Sequence, residues 1–172
     1  ESVLDAIDDH RRSHGHLVSH LRIEPRWESL PPFVRGFRQL PEFADPYIEP
    51  RSTLCIDLSP SETDICARMK AKGRYNVRLA MTHGVKVTED NSDTALDDFM
   101  HIYEDMTLRQ GLARKPREYF EALLPILRAR GNGSVFFAEY RGVRLATAIV
   151  VFFGGRSTYF YGASLAEHRQ VM

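Results

Sequence analysis

An excess of charge of either sign is missing from this chain. Its 172 residues carry 23 Lys and Arg against 23 Asp and Glu, a formal net charge of zero. No global field would therefore draw it to nucleic acid or to an anionic membrane, and any anion recognition must be local. Cysteine is scarce. Cys55 and Cys66 are the only two, with no metal-ligand spacing and no framework of bridges, which suits a reducing compartment. No apolar run is long enough to span a bilayer and no signal peptide is read, so the cytoplasm is the expected location. Hydrophobic content of 43% and charge of 27% are ordinary for a globular chain that can bury the core of one or two small domains.

The stretch from Thr53 to Val87 organises the reading of the rest. Leu54, Ile56 and Leu58 alternate with Thr53, Cys55 and Asp57, the period of a half-buried strand. Ser59, Pro60 and Glu62 then carry a helix-start pattern of cap, first-turn proline and capping-box acid. The helix that follows is basic. If it runs through Gly73, Lys70, Arg74 and Arg78 fall on one face, a stripe that reads most simply as solvated and alternatively as an anion site. Gly84 stops the helix, and Val85 and Val87 begin another strand.

Upstream, Glu1 to Gly15 reads as an amphipathic helix and Leu17 to Ile23 as a strand closed by Pro25. His10, His14, His16 and His20 lie close together, but the change from helix to strand between them argues against one coordination sphere, so no metal is expected. Glu28 to Pro50 is a proline-rich, irregular connection. Downstream, Asn91-Ser92 caps a helix to about Gln110 whose apolar stripe is Leu96, Phe99, Ile102, Tyr103 and Met106. After Gly111, Pro116 starts a second helix bearing Tyr119, Phe120, Leu123, Leu124 and Leu127. Val135 to Tyr140, Leu145 to Phe153 and Thr158 to Tyr161, separated by turns at Arg141-Gly142 and Gly154-Gly155, form a three-stranded antiparallel meander. The fold class expected from this order is α/β or α+β.

Four stretches, RIEPRW (Arg22 to Trp27), Ile48 to Val87, RQGLARKPREYF (Arg109 to Phe120) and YFYGASLAEHRQVM (Tyr159 to Met172), together resemble the FemABX peptidyltransferases, the tRNA-dependent aminoacyltransferases that build peptidoglycan interpeptide bridges. The resemblance runs in the family's order across nearly the whole chain. It implies parts of two tandem GNAT-like domains, with residues 1–90 the latter part of the first and residues 91–172 the first half of the second, and a chain incomplete at both ends. The short connection between Arg130 and Val135 implies the FemX-like type without a helical-hairpin arm. The implied reaction moves an aminoacyl group from aminoacyl-tRNA, as co-substrate, to the stem-peptide amine of UDP-MurNAc-pentapeptide or of a lipid-linked precursor. It needs no metal or organic cofactor, and peripheral membrane contact is compatible with it; DNA is not an expected partner.

The same resemblance places Lys115 at a diphosphate contact, Tyr119 one turn into the adjoining helix, Tyr159 and Tyr161 along the precursor cleft, and Glu24 near the precursor. Physical chemistry supports the first independently, because a cation beside a helix N-terminus adds to free N–H groups and a positive dipole end. Read without the family, Lys115 is a solvated loop lysine, Tyr159 and Tyr161 are alternate positions on one strand face, and Glu24 is a loop carboxylate. Lys72, Arg74 and Arg78 are expected at most to offer local positive charge to the precursor or to tRNA. No catalytic residue is assigned, the family's catalytic lysine being expected beyond Met172.

A conventional acyl-CoA N-acyltransferase is the nearest rival, since GNAT folds host both chemistries. Arg128 to Gly133 has the required arginine and glycines, but a helix ends and a strand begins there, so the glycines read as a helix cap and turn. A non-catalytic Fem-like binding module is the third reading.

Overall fold

The computed structural model describes residues 3–15, 53–167 and 171. The chain divides into two compact units, Glu1–Cys55 and Ile56–Met172. In the first, helix α1 (Val3–Ser13) is pinned by Asp8, whose carboxylate meets Arg11 at 2.8 Å and Arg12 at 2.6 Å. The strand expected at Leu17 to Ile23, the proline-rich connection, His16, His20 and Glu24 lie outside the described residues.

The strand expected at Thr53 to Leu58 is not formed. Thr53 to Leu58 pairs with no described strand, and Leu54, Ile56 and Leu58 are exposed. Alternation alone does not make a strand without a neighbour to accept its backbone hydrogen bonds. The segment ends in a turn in which the Asp57 carboxylate accepts from the Ser59 N–H at 3.0 Å and its hydroxyl at 2.8 Å; these bonds hold the Asp57 carboxyl below its ordinary range.

The basic helix is also two helices. α2 (Glu62–Arg68) is capped by Ser61, not Ser59, and its hydroxyl accepts from the Asp64 N–H at 3.2 Å. The chain then extends through Met69 and Lys70 before α3 (Ala71–His83). Gly73 does not break the helix; the break precedes it, so Lys70 is the cap of α3 and only Arg74 and Arg78 of the expected stripe are helical. Neither helix buries a residue.

β1 (Lys86–Glu89) pairs antiparallel with β2 (Gly133–Tyr140), which pairs antiparallel with β3 (Val143–Phe153) and that with β4 (Arg156–Ser164). The four strands lie in sequence order. The expected meander is present, and its sheet draws on residues on both sides of Asp90. Between β1 and β2 come α4 (Ala95–Gln110) and α5 (Arg117–Ala129). α4 ends at Gly111 in the left-handed conformation that closes a helix at least cost when no Cβ is present. α5 and β2 are joined by residues 130–132 alone, with no helical arm between them.

α4 packs over β3 and β4, and α5 over β2. The apolar stripe of α4 enters the core as its spacing requires, with Phe99, Ile102, Tyr103 and Met106 buried beside Phe120, Leu124 and Leu127 of α5. On the sheet the cross-strand rows Val135, Ile149, Tyr161 and Phe137, Thr147, Ala163 meet these helices. The intervening rows, including Val87, Ala138, Ala146 and Phe136, Ala148, Gly162, lie on the opposite face.

Candidate functional site

The loop from Gly111 to Pro116 is fixed by α4 from below. The Leu112 N–H donates to the Thr107 carbonyl at 3.0 Å, Arg114 meets Glu104 at 3.0 Å, and the Lys115 N–H donates to the hydroxyl of Tyr103 at 3.1 Å. Pro116 then caps α5 in extended conformation with no side-chain hydrogen bond. Pro116 thus leaves the first N–H groups of α5 without a side-chain cap, and the positive dipole end favours an anion, with Glu118 the acid of the same turn.

Lys115 stands at that end. Its Nζ lies 5.8 Å from the centre of the Tyr119 ring, within the range of a cation–π contact. The neighbouring cations are neutralised by acids. Arg109 is 3.7 Å from Asp105, Arg114 pairs with Glu104, and Arg117 bridges Asp97 at 2.6 Å and Glu121 at 2.8 Å. Glu121 and Asp97, in that order, hold the Arg117 guanidinium above its ordinary range. Between residues 109 and 117, Lys115 is the cation with no ion-pair partner among the described residues.

Tyr161 joins this group from the sheet. Its ring is 5.1 Å from Phe120, 6.1 Å from Tyr119 and 6.2 Å from Tyr103, each edge-on. Three expected residues, Lys115, Tyr119 and Tyr161, are thus brought together at the N-terminus of α5.

Tyr159 is not with them. The pairing of β3 and β4 slips at Ile149/Val150: Ile149 opposes Tyr161, but Val150 opposes Tyr159, leaving Phe160 as an extra residue. A bulge shifts the alternation of side chains by one position. Tyr159 and Tyr161 therefore lie on opposite faces, and the expectation that they share one is corrected. Tyr159 is 71% exposed, lies across the backbone of Gly162, and lines a groove of about 560 Å³ with Val87, Phe136 and Ala148.

The basic residues of α3 divide as well. Arg74 donates from Nη1 to the carbonyl of Ala67 at 3.1 Å and to that of Met69, closing the C-terminal end of α2. Its charge serves the helix junction. Lys72 and Arg78 are exposed. His10 and His14 stack at 4.3 Å at the C-terminal end of α1, and among the described residues no group of three or more His, Cys, Asp or Glu is placed to hold a metal ion.

Two features escaped the sequence. Tyr103 reads as one more member of an apolar stripe, yet its hydroxyl holds the Lys115 loop; the signal was that a buried tyrosine usually finds a partner for its polar tip. Arg144 of β3 reaches Asp90 at 2.5 Å and Asp98 at 2.7 Å and stacks 4.0 Å over Phe137. Bonds from Ser92 first, and then from Arg144, hold the Asp90 carboxyl down at about 2. This network ties the start of α4 to the sheet.

Comparison with known proteins bears on family and fold. The chain is 30% identical over 120 residues to the UDP-N-acetylmuramoylpentapeptide-lysine N(6)-alanyltransferase of Weissella viridescens, covering 69% of this chain and 35% of that protein. It is 25% identical over 105 residues to the lipid II:glycine glycyltransferase of Staphylococcus haemolyticus, covering 61% of this chain and 24% of that one. It therefore spans about a third or less of the length of these relatives. The crystal structure of FemX shares its fold, with a TM-score of 0.61 at 17% identity over 65% of this chain and 44% of that one, consistent with the expected GNAT-like α/β class. The FemAB family model matches residues 34–137, more than half of the chain, which belongs to the FemAB family.

Proposed function

We propose that this chain forms part of an aminoacyltransferase that moves an aminoacyl group from aminoacyl-tRNA to the stem-peptide amine of a peptidoglycan precursor, either UDP-MurNAc-pentapeptide or its lipid-linked form. The observation that carries the reading is Lys115, a cation without an acidic partner among the described residues, at a helix N-terminus that its cap residue Pro116 leaves without a side-chain bond, and flanked by Tyr119 and Tyr161. A diphosphate would take its charge from Lys115 and the first N–H groups of α5, while the aromatic rings offer flat apolar surface to the attached sugar. In the reaction the amine attacks the ester carbonyl, a C–N bond forms, the C–O bond to the tRNA ribose breaks, and one proton passes from nitrogen to the leaving oxygen. The ester is already activated, so aligning and desolvating the two substrates supplies most of the catalysis. No metal or organic cofactor enters this scheme, and no residue of the chain is assigned the proton.

Parts of two GNAT-like domains, a cytoplasmic location and peripheral contact with a lipid-linked substrate belong to the same reading. No described helix is long and apolar enough to cross a membrane. Tyr159, across the sheet from Lys115, would serve a different part of the substrate, and Lys72 and Arg78 remain available to tRNA phosphates.

The acyl-CoA reading is disfavoured by one observation. Gly131 closes α5 and Gly133 opens β2, where a Cβ would meet Leu127 of that helix and the Val150 carbonyl. The glycines serve a cap and a close packing contact, not a pyrophosphate cradle. Calorimetric titration with UDP-MurNAc-pentapeptide, with acetyl-CoA as competitor, tests the proposal. Saturable binding that falls about tenfold in Lys115→Ala, the loss of one charge-assisted contact, is the expected outcome. Binding of acetyl-CoA alone would replace it with the rival, and binding of neither would remove both.

A further inference from the structure

We infer that Tyr103 is a positioning residue of this site, holding Lys115 at the N-terminus of α5 through the hydrogen bond from the Lys115 backbone N–H to its hydroxyl. The inference rests on the reading of Lys115 as a phosphate contact. Tyr103 is suited to the task because its own position is fully determined. It is buried on α4, with its ring 5.5 Å from Phe99, 5.3 Å from Phe120 and 6.2 Å from Tyr161. Two of those neighbours anchor other parts of the site: Phe120 lies one turn into α5, and Tyr161 is the sheet's contribution. One side chain thereby meets the loop through its hydroxyl and the helix and the strand through its ring.

Apart from this bond, the loop backbone is tied at its start, where the Leu112 N–H donates to the Thr107 carbonyl at 3.0 Å. Its residues are exposed from Gly111 to Pro116, Arg114 is held by a surface pair with Glu104, and surface pairs restrain little. Among the described residues, the buried Tyr103 hydroxyl is the partner of the Lys115 backbone N–H. Without it, the lysine would still be present but would sample many positions around the helix end, and part of its contribution to binding would be lost to ordering it.

Tyr103→Phe removes the hydroxyl and leaves the ring. Hydrogen exchange of the Lys115 amide should quicken about fivefold, the scale of one modest hydrogen bond, while core amides in β2 and β3 keep their protection. Binding of UDP-MurNAc-pentapeptide should weaken by a similar factor. In a Lys115→Ala background, Tyr103→Phe should cost nothing further, because a positioning residue has no effect once the group it positions is gone. Unchanged exchange at Lys115, or faster exchange throughout the core, overturns the inference whatever the ligand does. So does weakened binding in Lys115→Ala beside normal binding in Tyr103→Phe, or losses that multiply in the double variant. Normal binding in Lys115→Ala overturns instead the reading of Lys115 on which the inference stands.

Discussion

The two faces of the four-stranded sheet have been given different tasks. On one, α4 and α5 cover Val135, Phe137 and Ile149 so completely that none is accessible, and Tyr161 enters an aromatic cluster. On the other, Val87 and Tyr159 are each 71% exposed over a shallow groove. Both faces are largely apolar, so hydrophobicity does not separate them. The difference lies in which rows of the pleat meet a helix, and for β4 it turns on the extra residue Phe160.

The comparison can be broken most forcefully at Phe120. Phe120→Ala, at a site with no exposure and three tyrosine neighbours, should cost about 3 to 5 kcal/mol by urea denaturation. Tyr159→Ala should change stability by less than about 0.5 kcal/mol, as surface substitutions do. Equal losses would mean that the groove face is as tightly packed as the covered one.

Two glycines sharpen the contrast at smaller scale. A Cβ at Gly133 would stand 2.9 Å from the Val150 carbonyl oxygen and 3.0 Å from Leu127 Cδ1, where neither backbone nor packed helix can yield, so Gly133→Ala should destabilise by about 1 to 3 kcal/mol. The atoms nearest a Cβ at Gly162 would be the hydroxyl and ring of Tyr159. That ring is exposed and can swing away, so Gly162→Ala should stay within about 0.5 kcal/mol while altering the tyrosine's fluorescence.

Acid probes the seam where the covered face begins. Asp90 is held at about 2 by Ser92 and Arg144, below the 3.8 of an unperturbed aspartate in the unfolded chain. A depressed carboxyl stabilises the fold above its unfolded pKa and loses that contribution as pH falls from about 4 toward 2. Asp90→Asn should therefore lower stability at neutral pH by about 1 kcal/mol and flatten the decline between those values, as read by denaturant midpoints across pH.

Much of the covered face was legible in advance. The stripe of Leu96, Phe99, Ile102, Tyr103 and Met106, the proline that opens α5 and the turn glycines each carry a local physical cause, so the helices and the meander fall where spacing puts them. The segment before the sheet was less legible for the same reason in reverse. Leu54, Ile56 and Leu58 alternate as a strand would, but a strand is made by its neighbour, and residues 53–58 pair with no described strand. Likewise the basic helix breaks at Met69 and Lys70, and Arg74, one of its expected surface charges, closes the break.

The candidate site follows the same division. Lys115 before a helix start and Tyr119 one turn inside it are local facts, and the residue order alone placed them side by side. The sequence by itself also determined the covered core, because helical periodicity and strand alternation are short-range properties of the chain. Only the tertiary structure decided that Tyr161 joins Lys115 while Tyr159 does not, that Arg109, Arg114 and Arg117 are neutralised while Lys115 has no acid among the described residues, and that Tyr103 holds the loop. Each of these depends on a cross-strand register or a contact between elements distant in sequence, and a one-residue bulge is enough to move a side chain from one face of a sheet to the other.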